Sequence, residues 1–485
     1  MKNNKTVFIS AYRNVSIRYI LYSDIFSELK KNNFMIYIFV KDNDVEHYKN
    51  IFNDINVKVL SVKFYEAMEL NKKYLNTIFT LSRRIFSGSK SNYKNTTDHY
   101  RKKQIIAENS SGLLSGVRLF LVKILSFFGS KSKFARTLIL KIEELILNGN
   151  IYNNYFEKYE PDLLIISSLG NQIDAQFIRC AKRKKCKVIT IIHNWDNPTT
   201  KGYKGASPNL VICWNEIMKK EVSIFHDIIN SNIVVGGIAH WDIYFRKEII
   251  KNRNFFKDNY NLDPNKKTIF YGSSSPFNFK KTLNSIESIL DLISKKKIEH
   301  KTQLFVRLHP SYLNIKDNNQ LLDNYRNKID HIKNKYKNLV FFNTPKVKKI
   351  NDDVDLPISD IKTLGNILIN SALVINEYSS LMIEAAIFNK PIINIGLHSY
   401  RDMNEPISVL EDFTHIKRII QTGATKQCHN LDNLTNCIND YLAKPELDEN
   451  HRKKLINQEI ISNNSNSGQY IGNIIKNYLN DIGHS

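Results

Sequence analysis

Short continuous apolar runs alternate along this chain with segments whose apolar residues recur every three or four positions. Residues 6–11 and 34–40 are runs of strand length, and residues 15–31 between them carry the helical spacing. Strand-like runs return at 162–167, 187–192, 209–214 and 232–236, with a helix predicted through 172–184. Such alternation predicts a doubly wound α/β domain closing near residue 245, because parallel strands need crossover helices between them. Residues of about 65–155 depart from the pattern. They read as a helical, basic insertion with a Ser/Asn/Lys-rich loop around 87–97.

After a polar connector at 246–267 a second alternation begins. Its predicted strands are 268–272, 303–308, 339–343, 372–376 and 391–395, and its helices are 280–296, 360–369 and 380–389. The tail, 431–485, reads as helices that pack back toward the first domain. The expected architecture is therefore α/β, with one doubly wound domain over 1–245, another over 246–430, and a cleft between them. A chain of 485 residues is long enough for two cores.

The polar residues that interrupt these runs carry the candidate chemistry. The run 372–376 ends in Glu377-Tyr378-Ser379-Ser380 and then a helix, which sets two hydroxyls at a helix start where anions are favoured. The run 303–308 ends in Arg307-Leu308-His309-Pro310, and the run 268–272 ends in Ser273, Ser274 and Ser275. Ligands meet open α/β sheets at the carboxyl ends of strands, so these three ends form one candidate phosphate site. In the first domain, His193-Asn194-Trp195-Asp196 leads a polar loop reaching Lys201 and Gly202, and Arg13, Asn14 and Arg18 follow the first strand. His240 and Asp242 are weaker candidates. No G-x-G-x-x-G follows a strand, so a nicotinamide or flavin cofactor is not expected. Asp42-Asn43-Asp44 and Asp353-Val354-Asp355 match D-x-D literally but lie away from the phosphate motifs. No metal is expected.

Charge changes this picture in one place. The formal net charge is +23, and residues 81–141 alone hold 13 Lys/Arg against Asp98 and Glu108, a net of +11. Within them Leu113, Leu114, Val117, Phe120, Leu121, Ile124, Leu125 and Phe128 recur at helical spacing, with Arg118 and Lys123 off the stripe. Two readings stay open: a basic apolar helix on an anionic membrane surface, or a helix facing the core with a solvated charged side. Nucleic acid is not the expected partner, because no zinc-finger, RNP or helix-turn-helix pattern accompanies the charge. Five cysteines without C-x-x-C spacing suggest free thiols in a reducing compartment. The N-terminus has no signal-peptide pattern, and no run reaches about 18 uncharged apolar residues. A cytoplasmic protein is expected, with peripheral contact to the inner face of the plasma membrane if the lipid reading holds.

The motifs Tyr271-Gly-Ser-Ser-Ser-Pro276, Val306-Arg-Leu-His-Pro310 and Asn376-Glu-Tyr-Ser-Ser380 with Glu384 resemble the GT-B glycosyltransferases of bacterial surface-polysaccharide biosynthesis. They are similar in shape to CDP-glycerol glycerophosphotransferases and to His-Pro-motif sialyl and Kdo transferases, over roughly residues 190–445. The resemblance implies two Rossmann-like domains, the first for the acceptor and the second for a nucleotide-activated donor. By position it implies His309 and Pro310 at a donor phosphate, Ser379 and Ser380 at the phosphate or nucleotide hydroxyls, and Glu384 at the ribose. Arg307 would add charge there or pair with Glu384 or Glu377. Asn194, Trp195, Lys201, Arg13 and Asn14 would lie on the acceptor side. Inverting transfer to a glycan or lipid-linked acceptor needs a base. Asp196 is favoured, with His193 as the base itself or as its orienting partner. Polyol-phosphate transfer from a CDP-polyol, nucleotide-sugar epimerisation and a non-catalytic membrane-surface role are the alternatives.

Overall fold

The computed structural model describes residues 5–73, 83, 86, 87, 117, 120, 124, 127–129, 131–276, 278–312, 319–345, 348–350, 353–355, 357–400, 407–460 and 466–482. The chain divides into two compact units, one of residues 1–242 with 460–485 and the other of residues 243–459. Residues 88–97 of the predicted loop at 87–97 and part of the 113–128 stripe lie outside the described residues.

The first unit is built on a seven-stranded parallel sheet. In chain order its strands are β1 (Thr6–Ser10), β2 (Met35–Val40), β3 (Val57–Ser61), β4 (Leu163–Ile166), β5 (Lys187–Ile191), β6 (Leu210–Cys213) and β7 (Ile233–Val235), and in space they run β3-β2-β1-β4-β5-β6-β7. β1, β4 and β6 are buried at every position, as a parallel sheet covered by helices on both faces requires. The sequence pattern does not predict strand β3: Lys58 interrupts its apolar run and it lies at the sheet edge.

The expected helix 15–31 is broken. A turn at Asn14–Ser16 passes into a π-helical turn at Ile17–Leu21, where the Tyr22 N–H reaches the Ile17 carbonyl at 3.1 Å. A new helix, Asp24–Lys31, then starts with Ser23 as its cap, the Ser23 hydroxyl accepting the Ile25 N–H at 3.3 Å. Of the tail helices, Leu431–Ala443 and Glu449–Glu459 belong to the second unit, and Ser467–Ile482 belongs to the first. Helix Ser467–Ile482 packs on helix Asp24–Lys31. Gly468 and Gly472 make the approach close: a Cβ at either would stand 2.8 Å from the Asp24 Cβ or 2.5 Å from the Glu28 Cβ. Asp242 caps the arriving helix, its carboxylate accepting the N–H groups of Ser467 and Gly468 at 3.1 and 2.8 Å.

The second unit carries a six-stranded parallel sheet of β8 (Lys267–Gly272), β9 (Thr302–Arg307), β10 (Val340–Asn343), β13 (Leu373–Asn376), β14 (Ile392–Ile395) and β15 (Lys426–Cys428), in the spatial order β10-β9-β8-β13-β14-β15. A small antiparallel pair, β11 (Lys348–Ile350) and β12 (Asp353–Asp355), stands apart from it. The sequence pattern predicts five of the six strands. The edge strand β15 has only three residues, too few to show a period. The helix Asn319–Lys335 escapes the pattern for a related reason, since its polar residues outnumber its apolar ones. All five cysteines are free, and among the described residues no helix is long and apolar enough to cross a membrane.

Asp242→Ala should destabilise the first unit by about 1–3 kcal/mol, because two buried N–H groups lose their acceptor. A lower melting temperature and earlier proteolysis near residue 460 would show it. Asp242→Asn keeps an acceptor for only one of the two N–H groups and turns an NH2 donor toward the other, so it should recover only part of the loss.

Candidate functional site

In both sheets the winding reverses once, between β1 and β4 in the first unit and between β8 and β13 in the second. Helices leave such a point in opposite directions and open a crevice at the strand ends. In the second unit the register places the motifs: Gly272 of β8 pairs with Arg307 of β9 on one side and with Asn376 of β13 on the other. The residues after these three, Ser273, Leu308-His309 and Glu377, therefore emerge together at the switch point.

Hydrogen bonds tie these ends to one another. The Ser273 hydroxyl accepts the His309 N–H at 2.8 Å, and the Ser273 N–H reaches the Arg307 carbonyl at 3.1 Å. Pro310 opens a single turn, Pro310–Tyr312, in which the Ser311 N–H donates to His309 Nδ1 at 3.1 Å. That bond places the proton of a neutral imidazole on Nε2. Burial holds the His309 pKa down at about 4, so near neutral pH the ring offers an uncharged N–H donor.

The sequence reading gives Glu377 a place in the Asn376–Ser380 motif and a candidate pairing with Arg307, but no role of its own. It is buried, and it accepts the Tyr271 hydroxyl at 2.9 Å, the Ser274 N–H at 2.8 Å and the Thr282 hydroxyl at 2.7 Å. Burial outweighs these three donors and pushes its pKa up to about 7. Glu377 thereby fixes the loop of Ser273 and Ser274. The following residue, Tyr378, takes the left-handed backbone conformation with φ of 51°, a strained state for a bulky side chain. Its hydroxyl donates to Glu411 at 2.5 Å. This kink aims Ser379 and Ser380 at the start of the helix Leu381–Ile387.

The helix start is less open than the sequence suggests. Asn376 Oδ1 takes the Ser379 N–H at 3.0 Å, and the Ser379 hydroxyl takes the Leu381 N–H at 3.4 Å. The Ser380 hydroxyl lies 3.3 Å from Glu384 Oε1, and Glu384 Oε2 accepts the Tyr244 hydroxyl at 2.5 Å. Arg307 does not pair with Glu377 or Glu384. Its guanidinium binds Asp360 in a close ion pair and Asn343 at 2.6 Å, because the strand ends at Arg307 and the alternation carrying it toward the His309 face ends there too.

The first unit presents a different set of groups at its own switch point. β1 pairs with β4 through Ile9 and Ile165, which puts Ser10 and Ser167 at adjoining ends. The Ser16 and Ser167 hydroxyls lie 2.5 Å apart, and the Ser10 hydroxyl donates to Asp174 at 3.1 Å. His193, at the end of β5, is buried and bonds through Nδ1 to the Ser167 carbonyl, which leaves its lone pair on Nε2. Burial, and after it the charge of Arg13, lowers its pKa to about 3, while Asp196 acts in the opposite direction. Nothing in the sequence pattern marks Asp174. It is fully buried, with Tyr12 and Asn171 beside it, and burial raises its pKa to about 7. In sequence it looks like an ordinary first-turn acid of the helix Gln172–Arg183.

The remaining acceptor-side residues divide. The Asp196 carboxylate is held by the Thr200 hydroxyl at 2.8 Å and by Lys201 at 3.1 Å, so Lys201 folds back on its own loop. The Asn194 side chain accepts the Trp195 N–H at 3.0 Å, and Trp195 is buried. One guanidinium nitrogen of Arg13 and the Nε of Arg18 are buried without an acceptor among the described residues, an arrangement that suits an anionic ligand. Asn14 opens the turn that follows Arg13. Among the described residues no group of three or more His, Cys, Asp or Glu side chains is placed to hold a metal ion.

No family model and no curated protein matches the chain. Solved structures do match it along its whole length. The S. aureus MnaA–UDP co-structure superposes with a TM-score of 0.54 at 11% identity, covering 98% of this chain and 97% of that one. The fold is GT-B. UDP-GlcNAc 2-epimerase from Methanocaldococcus jannaschii gives a TM-score of 0.50 at 13% identity over 98% of this chain and 99% of that one. The enzyme from Neisseria meningitidis bound to UDP-GlcNAc gives the same score, identity and coverage. Both Rossmann-like sheets of this GT-B chain, seven- and six-stranded, thus have counterparts in solved enzymes.

Glu377→Gln should change the pH dependence of stability in a set direction. The folded pKa of about 7 lies above the ordinary carboxyl value of 4.5, so the native state holds more protons between those values. Wild-type stability therefore falls as pH rises from about 4.5 to 7, and the Gln variant lacks that contribution. The variant should gain on the wild type across this window, by denaturant unfolding, and run parallel to it above about pH 8.

Proposed function

We propose that this GT-B protein is a glycosyltransferase that binds a nucleotide-activated sugar on its second unit and an acceptor hydroxyl on its first. The observation that carries this reading is the register at β8, β9 and β13, which gathers Ser273, His309 and the Ser379-Ser380 turn at one switch point. The neutral His309 Nε2–H and the serine hydroxyls would stabilise the phosphate of the leaving nucleotide without a metal. Glu384, which accepts the Tyr244 hydroxyl and lies 3.3 Å from the Ser380 hydroxyl, would face the ribose by the resemblance of the motifs.

The acceptor oxygen would attack the anomeric carbon, the bond from that carbon to the phosphate oxygen would break, and the bonding electrons would leave with the nucleotide. The acceptor proton goes to a base, in a single displacement that inverts the anomeric centre. Of the two candidate bases, His193 has its tautomer fixed by Ser167 with the lone pair left on Nε2, while burial and then Arg13 hold its pKa at about 3 against the opposing pull of Asp196. Asp196 is then the residue that assists it, its carboxylate being held by Thr200 and Lys201. A bound anion beside Arg13 would offset that electrostatic share of the depression, but not the larger share that comes from burial. The acceptor class we infer is a surface glycan or its lipid-linked carrier, by the resemblance of the motifs. Within the same architecture a CDP-polyol donor would place the attack on phosphorus instead, and product mass would separate the two by added phosphorus.

A second reading is favoured by the whole-length likeness to UDP-GlcNAc 2-epimerases. An epimerase would isomerise a UDP-sugar with no acceptor present, whereas a transferase releases nucleotide only when acceptor is added.

In a thermal-shift panel of CMP, CDP, UDP and GDP species, at least one should raise the melting temperature. His309→Ala should weaken that nucleotide about 10- to 100-fold by removing a phosphate contact. Absence of any shift at millimolar nucleotide would rule the donor site out. His193→Asn should leave nucleotide affinity unchanged and lower kcat about 10²- to 10⁴-fold, the range for loss of a general base.

A further inference from the structure

The helix Lys133–Ile146 turns charged side chains inward. Its buried positions are charged. Arg136 makes a bidentate pair with Asp227 at 2.7 and 3.0 Å, and Glu143 lies between Arg83 at 3.3 Å and Arg179 at 3.1 Å. Its large apolar side chains lie on the outward side, together with Lys133, Thr137, Lys141 and Glu144. Phe134, Leu138 and Leu145 fall on one face at helical spacing and are exposed, Phe134 to 77% and Leu145 to 81%. Upstream, Phe120, Ile124 and Phe128 repeat the spacing and are exposed as well. The described residues of the predicted stripe therefore do not face the core.

This concentration is not the scatter of apolar residues found on any surface. Of the 21 large hydrophobic residues exposed among the described residues, ten lie within 117–146. Cations border them: Lys131, Lys133 and Lys141 are exposed, and Lys131 Nζ sits 4.1 Å from the Phe127 ring centroid.

We propose that this face of the first unit docks on a bilayer containing anionic lipid. Aromatic and aliphatic side chains would enter the interface while lysines reach the headgroups, as in helices that lie on membranes. Charge complementarity selects that occupant. Lys131, Lys133 and Lys141 are exposed there, and the sequence from 81 to 141, leaving out Arg83 and Arg136 that are paired in the interior, holds 11 Lys/Arg against two acids, a charge that attracts anionic headgroups and repels a second copy of the chain. The inference stands independently of the transferase reading, and its test uses neither donor nor acceptor.

Full-length protein is sedimented with vesicles of phosphatidylcholine alone or mixed with phosphatidylglycerol. Binding is expected only to the mixed vesicles, weakening as salt rises. The triple change Phe134→Ser, Leu138→Ser, Leu145→Ser should reduce partitioning at least about tenfold with no fall in melting temperature, because these side chains make little of the core. The change Lys131→Glu, Lys133→Glu, Lys141→Glu should abolish the preference for phosphatidylglycerol. Phe134→Trp supplies a reporter in an otherwise unaltered chain, and the emission it adds should shift to the blue with mixed vesicles and be quenched by brominated lipid. The proposal is overturned if the wild type does not sediment, if the serine variant sediments equally, or if the emission added by Phe134→Trp is unmoved. It is also overturned if the serine change dissolves a dimer, or a complex with an acidic protein, while vesicle binding is absent.

Discussion

Parallel strands whose crossovers change side at one point constrain everything else in this protein. Where the winding reverses, no helix can cover the strand ends, so polar residues there can meet a ligand while each strand behind them stays buried. The chain uses this constraint twice, at β1/β4 and at β8/β13. Its most polar turns follow those strands and their neighbours β5 and β9. Elsewhere the same composition would be an ordinary set of capped loops.

The two switch points differ in chemistry. The one in the second unit is held by a carboxyl buried among donors: Glu377 receives a phenol, an amide and a hydroxyl, and still sits at a pKa of about 7 because burial costs its charged form more than three hydrogen bonds return. The result is a fixed loop whose outward groups are neutral donors, with His309 uncharged. The one in the first unit is richer in titratable groups, with Asp174, His193, Arg13 and Arg18 drawn together and two guanidinium nitrogens lacking acceptors among the described residues. A neutral donor set suits a phosphate that must later leave. A polarised, partly unsatisfied set suits a group that must be held and deprotonated.

The inward charge of the helix Lys133–Ile146 follows from the same preference for pairing what is buried. Arg136 and Glu143 enter the interior only because Asp227, Arg83 and Arg179 await them. Losing one partner would leave an unpaired buried charge, which is far costlier than exposing a phenylalanine. Once the charged face is fixed inward, the large apolar side chains have nowhere to go but out.

Much of this is legible in the sequence. Continuous apolar runs predict eleven of the thirteen strands in the two main sheets, since a strand buried on both faces needs no alternation to be recognised. The residues closing those strands mark the candidate site, because strand ends are where such folds bind ligands. Sequence cannot show which way a side chain turns after its strand ends, so Arg307 is expected in the site and instead pairs with Asp360. Nor can it show burial at the protein's polar positions: Asp174 and Glu377 have shifted pKa values only because distant segments close over them. The basic stripe shows the division plainly. Its period is set by the order of residues, but only the structure shows its described members exposed, and in the neighbouring helix Lys133–Ile146 the inward face is decided by Asp227 and Arg179, more than thirty positions away.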